Sequence, residues 1–126
     1  MAVRGLGRRT GLAFAGLILA AGPVLAAERV QRPAPGRHDA ELCVTVGAAA
    51  PNCGPAQLDL RRDGSARVRV DDLTYTLKPH AGQAEVVLMH GSVEIDDFGV
   101  RYLWNGRLLQ ITDEERQMRY DVRVLN

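Results

Sequence analysis

From Glu41 to the C-terminus the apolar residues recur at every second position, in short runs broken by turn-forming residues. A period of two is that of a strand with one buried face. No amphipathic stretch outlasts a helical turn or two, so the body of the chain is expected to be all β. The runs predict nine strands, over Glu41–Val46, Gln57–Arg62, Ala66–Val70, Leu73–Lys78, Ala84–His90, Val93–Asp97, Val100–Trp104, Arg107–Thr112 and Met118–Leu125.

Parity tests each proposed hairpin, because slipping a strand by one residue sends its apolar set to the other face. Leu58/Leu60 and Ala66/Val68 are all even, so their loop must hold an odd number of residues. Arg62-Asp63-Gly64 meets this, with glycine at the left-handed position, and sets Leu60 opposite Ala66, Leu58 opposite Val68 and Asp59 opposite Arg67. Val68/Val70 and Leu73/Tyr75/Leu77 change parity across Asp71-Asp72, a two-residue loop. In the same way Gly91-Ser92 joins Leu88 to Ile95, Asn105-Gly106 joins Trp104 to Arg107, and the four residues Asp113 to Arg116 join Ile111 to Met118. Phe98-Gly99 reads as a bend or bulge between two strands. These hairpins form an antiparallel meander that must curl to cover its apolar face, as a small barrel or a two-layer sandwich. Inward residues then include Leu58, Leu60, Leu73, Tyr75, Leu77, Leu88, Ile95, Tyr102, Trp104 and Tyr120. Val86-Val87-Leu88-Met89 is apolar on both faces, which suits a central strand or one that touches a partner.

What precedes this body is of a different kind. Arg4, Arg8 and Arg9 lead into an apolar run from Gly11 to Gly22, and Val24-Leu25-Ala26 carries small residues suited to a cleavage site. Residues 1–26 therefore read as a secretory signal peptide. The run is too short to span a membrane, for which about 20 apolar residues are needed, so the mature chain is expected to have no membrane span. Thr10-Gly11-Leu12 after the arginine pair fits ordinary unfolded export better than a twin-arginine signal. Residues 27–40, with Pro33, Pro35 and Gly36 among Arg29, Arg32, Arg37 and His38, read as a flexible tail; residues 41–126 read as the β domain.

Loss of the signal turns 16 basic and 15 acidic residues into 13 and 15, since the removed segment holds three arginines and no acid. A slightly acidic domain argues against nucleic acid, which demands a concentrated basic footprint. Lys78 is the only lysine among the basic residues, the usage of a high-GC bacterial genome, so the expected address is the periplasm or the external medium. In that oxidising setting Cys43 and Cys53, the only cysteines, are expected to pair as a structural clip.

Chemistry is sparse. Ser65 and Ser92 sit in or beside turns, and although Ser92 follows His90 closely, nothing is placed to orient the imidazole as a catalytic base requires. His80, His90, Asp96 and Asp97 are the metal candidates, but their spacing fixes no convergence. Asp71/Asp72, Glu94/Asp96/Asp97 and Asp113/Glu114/Glu115 form three acidic spots, two of them in turns where such residues are ordinary. One surface combines apolar and acidic character: Val87, Met89, Glu94 and Asp96, expected on a shared outer face suited to a basic protein. The expectation is thus a non-enzymatic binding module without cofactor or metal, a protein-capturing or inhibitor-like protein whose partner is an envelope or secreted protein. The alternative is a carrier that closes its barrel around a small apolar ligand.

Overall fold

The computed structural model describes residues 32–126, and within them the chain forms eight antiparallel strands in one closed barrel. They are β1 (Gly36–Val46), β2 (Asn52–Leu60), β3 (Ala66–Val70), β4 (Leu73–His80), β5 (Gln83–His90), β6 (Val93–Asn105), β7 (Leu108–Asp113) and β8 (Met118–Val124). Each strand pairs with the next in sequence, and β1 closes the ring on β8 from Ala40↔Val124 to Val46↔Met118. Closure leaves no unpaired edge to template aggregation. The reading of residues 1–26 as a signal peptide, and of 27–31 as tail, falls outside the described residues.

The core is the inward set of the alternation. Even positions face in on β1, β2, β3, β5 and β8, odd ones on β4 and β7, and Leu58, Leu77, Leu109 and Val122 are almost fully buried. Ala40, Ala56, Ala66 and Ala84 are the small members of this core, and Tyr102 and Trp104 pack against it from β6. An eight-stranded barrel is just wide enough to be filled by its own side chains, and this one is filled. Its interior cavity measures only about 20 Å³.

Cys43 and Cys53 are directly opposed across β1 and β2 and form the expected disulfide, with an S–S distance of 2.05 Å. Leu60↔Ala66, Leu58↔Val68 and Asp59↔Arg67 pair as parity required. The loop between them is closed by Arg61 N–H donating to Ser65 O at 2.9 Å, with Gly64 at φ 91°. Asp71-Asp72 and Gly91-Ser92 are the two-residue turns expected.

Five expectations are corrected. The nine strands are eight, because Val93–Asp97 and Val100–Trp104 are one continuous strand. The parity change between them lies not at Phe98-Gly99 but at Ile95, a bulge between the pairs Met89↔Glu94 and Leu88↔Asp96. That position turns Ile95 out, 53% exposed, and turns Phe98 in, 8% exposed. Burying the aromatic ring in place of the aliphatic one favours this placement. Two turns move by one residue: Asn105 pairs with Leu108, making Gly106-Arg107 the turn, and Asp113 pairs with Met118, making Glu114 to Gln117 the loop. In the first, Gly106 takes φ 62° while Asn105 stays in the strand, a II′ turn with glycine at its first central position. A further two-residue turn at Ala81-Gly82 extends β4 to His80. Finally, the tail ends earlier than residue 40, since Gly36 to Ala40 pair with β2 and Ala40 is buried. Arg37, His38 and Asp39 carry no apolar alternation, which is why this part of the strand is invisible to a hydrophobic pattern.

Candidate functional site

The four residues expected to share an outer face do not all share it. Met89 pairs with Glu94, and Val87 with Asp97, on the outer wall. The bulge at Ile95 sends Asp96 to the inner face, opposite Leu88. Val87, Met89 and Glu94 thus form a wall patch bordered by Thr74, Thr76 and the β3 arginines, while Asp96 belongs to the barrel mouth.

The topology does something the linear sequence does not display. Strand ends alternate around an antiparallel barrel, so turn 71–72, the start of β6 and loop 114–117 all lie at one end. The three acidic spots are therefore one. Asp71, Asp72, Glu94, Asp96, Asp97, Asp113, Glu114 and Glu115 gather there, against Arg69, Arg101, Arg116 and Arg119. Val93 and Ile95 stand exposed among them at 61% and 53%. Arg101 pairs with Glu114 and Arg119 with Asp121, both in exposed or partly exposed positions where such pairs contribute little to stability.

At the centre of this acidic end Arg116 lies across the mouth of the barrel. Its Nη1 is 2.8 Å from Asp96 Oδ2, its Nη2 donates to Asp96 Oδ1 at 3.3 Å, and its guanidinium carbon sits 4.6 Å above the centroid of Phe98. Asp113, the last residue of β7, points inward and is 1% exposed. Its Oδ1 accepts the backbone N–H of Arg116 at 3.2 Å, which holds the loop in place; its Oδ2, 3.8 Å from Arg116 Nε, accepts no hydrogen bond. Beneath lie three stacked or tilted aromatic rings, with Tyr120 at 6.3 Å from Phe98 and 5.7 Å from Tyr75. The hydrogen bond that Arg116 donates to Asp96 holds the arginine's pKa above its ordinary value. Burial, with Tyr75 and Asp113 adding to it and Arg116 opposing, pushes the Tyr120 phenol up to about 12.

Asp113 and Asp96 were legible as acids but not as mouth residues, and Arg116 carried no sequence signal beyond its place in a turn. The other candidates do not converge. His80 closes β4 at the 81–82 turn and His90 closes β5 at the opposite end, opposed to Val93. Ser92 is at the hairpin tip. Among the described residues the cluster of metal-ligand types that does converge is Glu41, Cys43 and Cys53, whose sulfurs are engaged in the disulfide. No helix among the described residues is long and apolar enough to cross a membrane.

These features define a small disulfide-clipped, eight-stranded antiparallel barrel with a filled interior and one acidic, partly apolar end. Comparison with protein-family models, curated proteins and solved structures returned no match.

Proposed function

We propose that this chain is an exported, non-enzymatic binding module that works in the periplasm or the external medium of a bacterium and captures a basic protein on its acidic end. The gathering of three acidic clusters around exposed Val93 and Ile95 is the observation that carries the reading. Carboxylates of one sign steer an oppositely charged partner and align it, and exposed apolar groups supply the desolvated centre of an interface. Val87, Met89 and Glu94 adjoin this end along the wall and extend it. The signal-like N-terminus and the disulfide both support export. A carrier of apolar ligands is the weaker reading, because a cavity of about 20 Å³ is far below the several hundred that a drug-sized ligand fills.

The test is capture from periplasmic and secreted proteins by the oxidised domain, residues 27–126, read by mass spectrometry. One stoichiometric basic protein is expected, lost on Ile95→Lys and weakened at least tenfold by Asp71→Asn with Asp72→Asn. A lipid or metabolite retained in native mass spectra, with no protein captured, overturns the reading in favour of a carrier. Capture indifferent to all three substitutions overturns the assignment to this end.

A further inference from the structure

Arg116 is a cation held in a slot that it does not fully satisfy. The walls of the slot belong to the barrel: Asp96 and Phe98 from successive inward positions of β6, Asp113 from the end of β7. The cation belongs to an exposed hairpin loop. The fork of Arg116 is engaged with Asp96, and the ring of Phe98 lies under its guanidinium. Asp113 Oδ2, shielded from water and directed into the mouth, is left without a hydrogen bond. A buried carboxylate oxygen in that condition forfeits a charge-assisted bond that a second donor would restore.

The geometry points to a guanidinium-binding slot formed by Asp96, Asp113 and Phe98, which receives an arginine side chain of the captured partner and in which Arg116 is the displaceable resident. The inference rests on the proposed capture of a basic protein and names the chemistry of its anchor. An incoming guanidinium approaching along the barrel axis lies on the Phe98 face, where a cation is attracted by the ring quadrupole. Its planar fork presents donors to Asp96 and to the open oxygen of Asp113 together, which a compact ammonium does less well. Arg116 leaves readily because its side chain is already 39% exposed and its loop is fastened through the backbone bond to Asp113 Oδ1, which does not require the guanidinium. Eight carboxylates against four arginines (Arg69, Arg101, Arg116 and Arg119) at this end favour a further cation over the loss of one.

The experiment uses N-acetylargininamide as the probe, titrated into the isotope-labelled domain and followed at the amides of Asp96, Phe98 and Asp113. Arg116→Gln is expected to bind the probe at least tenfold more tightly than the unaltered chain, because the resident cation is gone. Adding Asp113→Asn is expected to reverse that gain. Equal affinity for Arg116→Gln and the unaltered chain, or affinity indifferent to Asp113→Asn, overturns the slot. The unaltered chain supplies a readout that needs no substitution: on saturation the Nε–H resonance of Arg116 must move to that of a free arginine, and an unmoved resonance overturns displacement. N-acetyllysinamide binding as tightly as the arginine probe overturns the guanidinium preference. Since the probe contains no protein, failure here leaves capture by the acidic end standing, and failure of capture leaves the slot measurable.

Discussion

Ala81 sits at φ 53° and Gly82 at φ 81°, so both central residues of the β4–β5 turn are left-handed. A type I′ turn requires this, and the methyl of alanine makes it cost about 1–2 kcal/mol relative to the right-handed region. Asparagine tolerates that conformation better. Ala81→Asn is therefore expected to stabilise the barrel by about 1 kcal/mol, seen as a higher urea midpoint at unchanged slope; a lower midpoint would show that the methyl is not strained. Tyr120 gives a second prediction at this scale. Its phenolate is disfavoured by burial first, and by Tyr75 and Asp113 beside it, while Arg116 acts the other way. The folded state thus holds the phenolic proton up to about pH 12, against an ordinary value of 10.0. The resulting stability is fully present below pH 10.0 and is lost as pH climbs toward about 12. Tyr75, raised by its own burial, acts in the same direction. Unfolding measured from pH 9 to 12 is expected to show a shallower decline in Tyr120→Phe than in the unaltered chain.

At the scale of the strand, β6 separates what a period of two can reveal from what it cannot. Val93 and Ile95 are odd, Val100, Tyr102 and Trp104 are even, so a change of parity between them follows from the residues alone. Where it falls does not, because Gly99 marks a plausible bend while Ile95 has no local signature of a bulge. Only the closed barrel decides, by giving the inner place to Phe98 and pairing Leu88 with Asp96. The same limit explains the turns that moved by one residue: parity is preserved by such a shift, so the inward sets of β7 and β8 were readable while the turn residues were not. It also explains why the candidate face of Val87, Met89, Glu94 and Asp96 is divided, since Asp96 changes side with the bulge. Ile95→Thr is accordingly expected to alter stability by less than about 0.5 kcal/mol, while Phe98→Ala costs about 3–5 kcal/mol and removes the ring beneath Arg116. Equal losses in chemical denaturation would return Ile95 to the core.

For the whole molecule, closure converts local sequence into global polarity. The turns of an antiparallel ring fall alternately at its two ends, so acids scattered from Asp71 to Glu115 become one surface, and no window of the sequence contains it. The disulfide joins β1 to β2, and β1 is the strand that closes the ring on β8. Chain entropy assigns about 3 kcal/mol to a loop of this length, so Cys43→Ser with Cys53→Ser is expected to lower unfolding stability by that much. A domain of ordinary stability, about 5–15 kcal/mol, survives such a loss. The acidic end is then still assembled, and capture by the serine variant distinguishes a clip from a working part of the site. The polarity itself predicts a kinetic signature. Exposed, unburied charges act at a distance, within a Debye length of about 8 Å at physiological salt, and therefore on encounter more than on the lifetime of the complex. For the partner proposed for this end, raising salt from 0.05 to 0.5 M (about a threefold contraction of that length) is expected to lower the association rate at least tenfold, with dissociation changed far less. Asp71→Asn with Asp72→Asn should reduce both the association rate and its salt dependence. Neutralising Asp39 and Glu41 on β1, outside the acidic end, should leave them unchanged. Surface plasmon resonance measures the two rates separately, and a salt effect carried by dissociation would mean that the carboxylates are buried contacts and not a steering field.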